Sequence, residues 1–145
     1  MRFMMMLKGT AKTEAGGTPD RDVMIRMGRL MEDMARAGVL LAADGLKPSS
    51  EGKRLRFRGG KITSMIDGPF TETKELVAGF CMIETASWDE ALEWARRFAA
   101  VEGDGETEIR PLYEVTDFPP EVFPPEEVAR ELALRDELNR KAASR

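Results

Sequence analysis

The stretch ELVAGFCMIET, Glu75 to Thr85, is the most apolar strand candidate in the chain. A short apolar run with polar ends reads as a strand covered on both faces, which places it in the middle of a sheet. Gly79 inside it marks a bulge or a close backbone approach. Everything on either side is then read for what pairs with this strand or covers it.

Upstream lies TSMIDGPFTETKEL, Thr63 to Leu76. Gly68 before Pro69 is pushed out of the α region and Pro69 fixes its own φ, so the corner is rigid. Asp67 can accept backbone N–H bonds, as in an Asx-turn, and Phe70 can anchor the corner in the core. Before it, KRLRFRGGKITSMID reads as a hairpin, with Gly59 and Gly60 as a two-residue primed turn. Alternation puts Leu55 and Phe57 on one side, Arg54, Arg56 and Arg58 on the other.

Further upstream, RFMMMLK (Arg2 to Lys8) and VLLAADGL (Val39 to Leu46) are strand candidates, the second followed by the flexible KPSSEG. The polar GTAKTEAGGTPD reads as a loop ending at a helix capped by Thr18, with Pro19 in its first turn. That helix runs to about Ala37, lines Val23, Met27, Leu30, Met31 and Met34 along one face, and stops at Gly38.

Downstream, Ser87 and Glu90 form a capping box for a second helix with Trp88, Leu92, Ala95 and Ala99, joined by Ala91 and Phe98, as its apolar stripe. TEIRPLYEV supplies a last strand ending at Val115, in which Pro111 favours an edge or a bulge. The rest turns proline-rich and then charged and helical from near Pro125. Its narrow stripe of Val128, Leu132 and Leu138 calls for docking on the body or on a partner. We divide the chain into residues 1–115 and an appendage, 116–145.

The order strand, helix, strand, hairpin, strand, helix, strand suggests two βαβ-like halves or an α+β sandwich with helices on one sheet face. One sheet face is left over. Met4 to Met6, Phe80 and Met82 supply apolar groups to both faces, so a second copy of the chain is the expected cover.

The 145 residues suffice for one domain with an ordinary core. With 22 Lys and Arg against 26 Asp and Glu, the net charge of -4 offers no global attraction for nucleic acid or an anionic membrane. The lone Cys81 precludes an intrachain disulfide. The apolar run Phe3 to Leu7 falls short of the roughly 7 to 15 residues of a signal-peptide core, so a soluble cytoplasmic protein is expected. There is no histidine, which removes Ser/His and Cys/His pairs, imidazole metal sites and the commonest neutral-pH base. No metal or cofactor is expected.

DGPFTETKE (Asp67 to Glu75), with LRFRGGKIT, GFCMIE, SWDEALEWARRF, EIRPL and DGLKP, resembles the YCII-related proteins of the DGPF branch, from Arg2 to about Val115. The resemblance implies a ferredoxin-like α+β fold that pairs into a dimeric α/β barrel, with a small cavity between sheet and helices. In the wider group a His and Asp pair is the candidate catalytic dyad, and some relatives act on small ring compounds as dehydrochlorinases or lactone isomerases. Here only the aspartate carries over, at Asp67. Members of the branch often lie beside genes for extracytoplasmic-function sigma factors, from which a link to their regulation is expected.

The candidate site residues follow. Asp67, facing the cavity, is the candidate acid or base, with Glu72, Lys74 and Glu75 close by. Lys74, Arg54, Arg56 and Arg110 are candidates for holding a small anionic ligand, although charged hairpins also serve simply to block strand pairing. Cys81 and the ten methionines read as packing groups. Three functions follow: a dimeric small-molecule binding module, an isomerase or lyase using Asp67, and an adaptor acting through the tail helix.

Overall fold

A computed structural model describes residues 1–144. It divides into a unit Met1–Leu112 and a unit Tyr113–Arg145. In the first unit, β1 (Arg2–Lys8), β2 (Leu40–Gly45), β5 (Val77–Glu84) and β6 (Thr107–Pro111) form one sheet in the order β2-β5-β1-β6. All three pairings are antiparallel. Helices α2 (Arg21–Arg36) and α3 (Trp88–Glu102) form the two crossovers, so the architecture is ferredoxin-like. The hairpin of β3 (Lys53–Arg58) and β4 (Lys61–Asp67) forms a separate two-stranded sheet.

β5 is central, as its composition requires. In-register residues share a face, which gives one row of Leu40, Ile83, Phe3 and Pro111 and a second of Ala43, Cys81, Met5 and Ile109. Phe3, Met5, Cys81 and Ile83 are buried there with Leu30 and Met34 of α2 and Ala91 of α3. Both helices therefore lie on this face. On the opposite face Met82 pairs Met4 and Phe80 pairs Met6, and all four stay half-buried. Gly79 makes the expected close approach, since a Cβ there would stand 3.2 Å from the Asp44 carbonyl oxygen.

Five expectations need correction. The loop after β1 contains a short helix, α1 (Ala11–Glu14), because Thr10 and Thr13 cap its start reciprocally. Helix α2 begins after Asp20 and not at Thr18, which leaves Pro19 outside the first turn. β6 ends at Pro111, where the edge position suits a residue without an N–H, and Val115–Asp117 is a single 3₁₀ turn closed by Glu114 N–H donating to Asp117 Oδ2 at 2.7 Å. The buried stripe of α3 is rotated towards Ala91, Trp94, Ala95, Phe98 and Val101, so Trp88 meets Phe3 edge-on from a more exposed position. The capping of α3 is also displaced: Ser87 Oγ accepts from Glu90 N–H, while Glu90 Oε2 accepts from Ala86 N–H.

The second unit holds α4 (Pro125–Ala143), which starts at its second proline as expected. Arg135 reaches Glu131 and Glu114. Phe118 meets Tyr113 at a tilt and Phe123 edge-on, and Leu132, Leu134 and Leu138 stay exposed. No helix among the described residues is long and apolar enough to cross a membrane.

Candidate functional site

The rigid corner is built from three segments. Gly68 passes so close to the loop after β2 that a Cβ would fall 1.7 Å from the Ser49 carbonyl oxygen, so no other residue fits. The Gly68-Pro69 peptide bond is cis. Gly68 N–H donates to the Gly52 carbonyl at 3.1 Å, and Phe70 N–H donates to Ser49 Oγ at 3.0 Å. Ser49 in turn donates its hydroxyl and its N–H to the two oxygens of Glu14 at the end of α1. The bracing expected of an Asx-turn at Asp67 comes instead from the serine hydroxyl, because Pro69, two residues on, has no N–H to donate and the Asp67 carboxylate is turned to Lys53.

Asp67 turns to the hairpin. Without an irregularity the Gly59-Gly60 turn would set Lys53 opposite Ile66; a register shift sets it opposite Asp67, whose carboxylate pairs with the Lys53 ammonium. The Asp67 side chain is 74% exposed and lines neither of the cavities described below. Arg54 lies over the Phe70 ring, 4.0 Å from its centroid, so Asp67, Phe70 and Arg54 do come together at the hairpin base. The other candidates are dispersed. Arg56 is exposed further along β3, Lys74 is exposed in the turn Thr73–Glu75, and Arg110 stands beside Met4 on the open face of the four-stranded sheet.

The concave space lies elsewhere. A cavity of about 280 Å³ sits between α3 and the ends of β1 and β6. Leu92, Ala95, Ala99 and Glu102, three or four residues apart and so on one helix face, form one wall; Leu7, Thr107 and Ile109 form the other. Gly103, at φ 84°, ends α3 in the left-handed region and donates to the Ala99 carbonyl at 2.9 Å, turning the chain back over the cavity mouth. Two residues expected in the core, Leu92 and Ala99, are wall residues here.

Glu102 is the polar head of this space. It is half-buried, and its carboxylate has no hydrogen-bond or ion-pair partner among the described residues. Burial raises its pKa above the ordinary carboxylate value, because the charged form loses hydration. The nearby Arg96 is engaged by Glu93 at 2.6 Å. A carboxyl group in such a setting can accept a hydrogen bond from a ligand or hold a proton for it. Its sequence signal is faint: one acid in the last turn of an amphipathic helix, immediately before a glycine-rich loop.

A second groove, about 230 Å³ between α2 and α3, is lined by Arg26, Arg29, Leu30, Asp33, Arg97 and Val101. Its Arg97 is paired with Asp33 and stacked on Trp94. Cys81 is buried, and burial pushes its thiol up to about 11, which makes it inert packing at neutral pH. Among the described residues no group of three or more His, Cys, Asp or Glu could hold a metal ion.

Comparison with known proteins adds three findings. The solved structure of 5-chloro-2-hydroxyhydroquinone dehydrochlorinase from Burkholderia phenoliruptrix AC1100, in complex with 2,5-dihydroxybenzoquinone, is similar at a TM-score of 0.42 and 14% identity, covering 79% of this chain and 95% of that one. An uncharacterised protein of Rhizobium meliloti (strain 1021), R00369, is 39% identical over 94 residues, spanning 64% of this chain and 75% of its own. The model of the YCII-related domain matches residues 1–116, which takes in the whole four-stranded sheet, the hairpin and the Gly68 corner. This chain therefore belongs to the YCII-related domain family.

Proposed function

We propose that this YCII-related protein is a small-molecule binding module of the DGPF branch, that its ligand sits between α3 and β6, and that two copies pair over the open sheet face. The branch assignment draws on Asp67, Gly68, Pro69 and Phe70 themselves. The observation that carries binding is the half-buried Glu102 carboxylate, unpartnered among the described residues, at the head of a cavity with mainly aliphatic walls. Such a space suits a ligand with a compact apolar body and one hydrogen-bond-donating group. An anion held jointly by Arg54, Arg56, Lys74 and Arg110 would have to bridge two sheets and a turn. A cytoplasmic metabolite sensor, including one serving a sigma-factor circuit, is a use that this cavity fits.

A thermal-shift screen of small metabolites tests it. A ligand at about 100 times its dissociation constant stabilises by about 2.7 kcal/mol. The hits should be lost in Ala99→Trp, which fills the cavity, and weakened in Glu102→Gln. Hits that survive both changes overturn the assignment. The enzymatic reading, with Asp67 moving a proton, predicts instead that Asp67→Asn abolishes turnover of a bound ring compound while leaving its binding intact.

A further inference from the structure

Helices α2 and α3 lay two stripes side by side. On α2, Arg26, Arg29, Leu30 and Asp33 follow at i, i+3, i+4 and i+7 and so share one face. On α3, Arg97 and Val101 are four apart, on the flank turned away from Ala95, Ala99 and Glu102, since each residue advances about 100° round the helix. Together they line the groove of about 230 Å³, which is therefore separate from the Glu102 cavity. Its floor is apolar: Leu30 is buried in the core and Val101 packs against it.

Charge in this groove is out of balance, with three guanidinium groups against one carboxylate. Helical spacing offers Arg26 the acid Asp22, four residues before it, and offers Arg29 the acids Glu32 and Asp33, three and four residues after it. None of these pairs forms. Glu32 goes to Arg36, and Asp33 is taken by Arg36 and, from the other helix, by Arg97. The acids of α3 are spent elsewhere too, Glu93 on Arg96 and Glu90 on the Ala86 N–H. Among the described residues Arg26 and Arg29 have neither an ion-pair nor a hydrogen-bond partner.

Arg97, by contrast, is braced. Its Nη2 donates to Asp33 Oδ2 at 2.5 Å, and its guanidinium carbon lies 4.6 Å from the centroid of the Trp94 ring. A guanidinium has five N–H donors, so this pairing leaves most of them for a ligand. One fixed fork and two unpaired ones, above an apolar floor that strengthens charge interactions, make a receptor for a doubly charged oxyanion. The planar fork matches phosphate oxygens two at a time. The groove is smaller than the roughly 300–1,000 Å³ of sites for drug-sized ligands, so it suits a head group with a short body.

We infer that this groove binds a phosphoryl group, free or on a small phosphate monoester, with Arg97 as the preset contact and Arg26 and Arg29 joining it from α2. The site is independent of the cavity at Glu102, and either can fail without the other.

Calorimetric titration of the full chain tests it, at about pH 7.5, where a phosphoryl group is close to doubly charged, and with chloride holding the ionic strength constant. Inorganic phosphate and glycerol 3-phosphate are the probes, and succinate is the competing dianion. Phosphate should saturate one site with a dissociation constant of about 1 mM or tighter. Arg26→Gln and Arg29→Gln should each weaken it at least about 10-fold, while Arg140→Gln on α4, which removes the same charge, should not. Tighter binding of the monoester assigns the group to a metabolite, and equal binding assigns it to free phosphate. No saturable phosphate binding overturns the site, as does binding that survives both groove variants in well-folded protein. An equal loss in Arg140→Gln would reduce the effect to net charge and overturn it as well. Succinate bound more tightly than either phosphate probe would overturn the phosphoryl assignment.

Discussion

β5 and β4 are separated by a single corner, yet they hold their side chains in opposite ways. On β5 every second residue from Gly79 to Ile83 is buried, with a strand on either side and two helices above. On β4 no residue is buried, and its only strand partner is β3. The contrast separates two tasks: the four-stranded sheet carries stability, while the hairpin's placement depends on a few contacts at its base. Two-stranded hairpins are marginal alone, so that base must be anchored. Ser49, Gly52, Phe70 and Arg54 anchor it.

The contrast breaks first at its aromatic residues. Phe3→Ala should cost about 3–5 kcal/mol of unfolding free energy, since Phe3 is fully buried beside Ile83 of β5 on the helix-covered face of the sheet. Phe57→Ala should change protomer stability by no more than about 0.5 kcal/mol, measured in urea at concentrations low enough to keep the protomer alone. Equal losses at the two positions would mean that the hairpin is part of the core.

Between them stands the corner. Gly68→Ala forces a Cβ into the Ser49 carbonyl and should cost about 3 kcal/mol, since the obstacle is backbone and cannot rotate away. Ser49→Ala strips the partner from Phe70 N–H and two of the donor contacts to Glu14 down to one, and should cost about 1–2 kcal/mol. Asp67→Asn removes only an exposed ion pair, for which about 0.5 kcal/mol is the expected ceiling. If Asp67→Asn were the more damaging of the last two, the aspartate and not the serine would be the brace.

The same contrast governs what was legible in the sequence. Period and composition identify β5, the Gly59-Gly60 turn and the α2 stripe, because burial on one face leaves a repeat in the chain. They also make Gly68 a turn residue, though its real constraint is a neighbour 19 positions earlier, Ser49, and a long-range contact leaves no local trace. The register shift at Thr63 is equally silent: reading the hairpin as regular strands places the arginines correctly but misses that Ile62 and Met65 share a face. The α3 stripe was read about one residue out of phase, since Leu92 and Ala99 are apolar enough for a core and in fact wall a cavity. Glu102 lay beyond reach for a related reason, because desolvation depends on what the helix packs against and not on the helix itself.

That carboxylate gives the smallest and most specific effect. Its pKa is raised by burial in the folded chain, so its favourable contribution to folding is fully present below the unfolded-state value and is lost as pH rises through the folded one. At pH 7 the charged form is therefore the less comfortable one, and Glu102→Gln should raise Tm slightly. The group remains partly open to solvent, and screening limits the gain to about a few tenths of a kcal/mol, or roughly 1 °C. Near pH 4 the wild-type carboxyl is itself largely neutral and the difference should vanish. Calorimetry of both proteins at the two pH values checks this, and a gain of the same size at both would assign the effect to packing and not to charge. A saturating ligand that donates to Glu102 should reverse the order at pH 7, making wild type the more stable, because a charged carboxylate accepts a stronger hydrogen bond than a carboxamide oxygen.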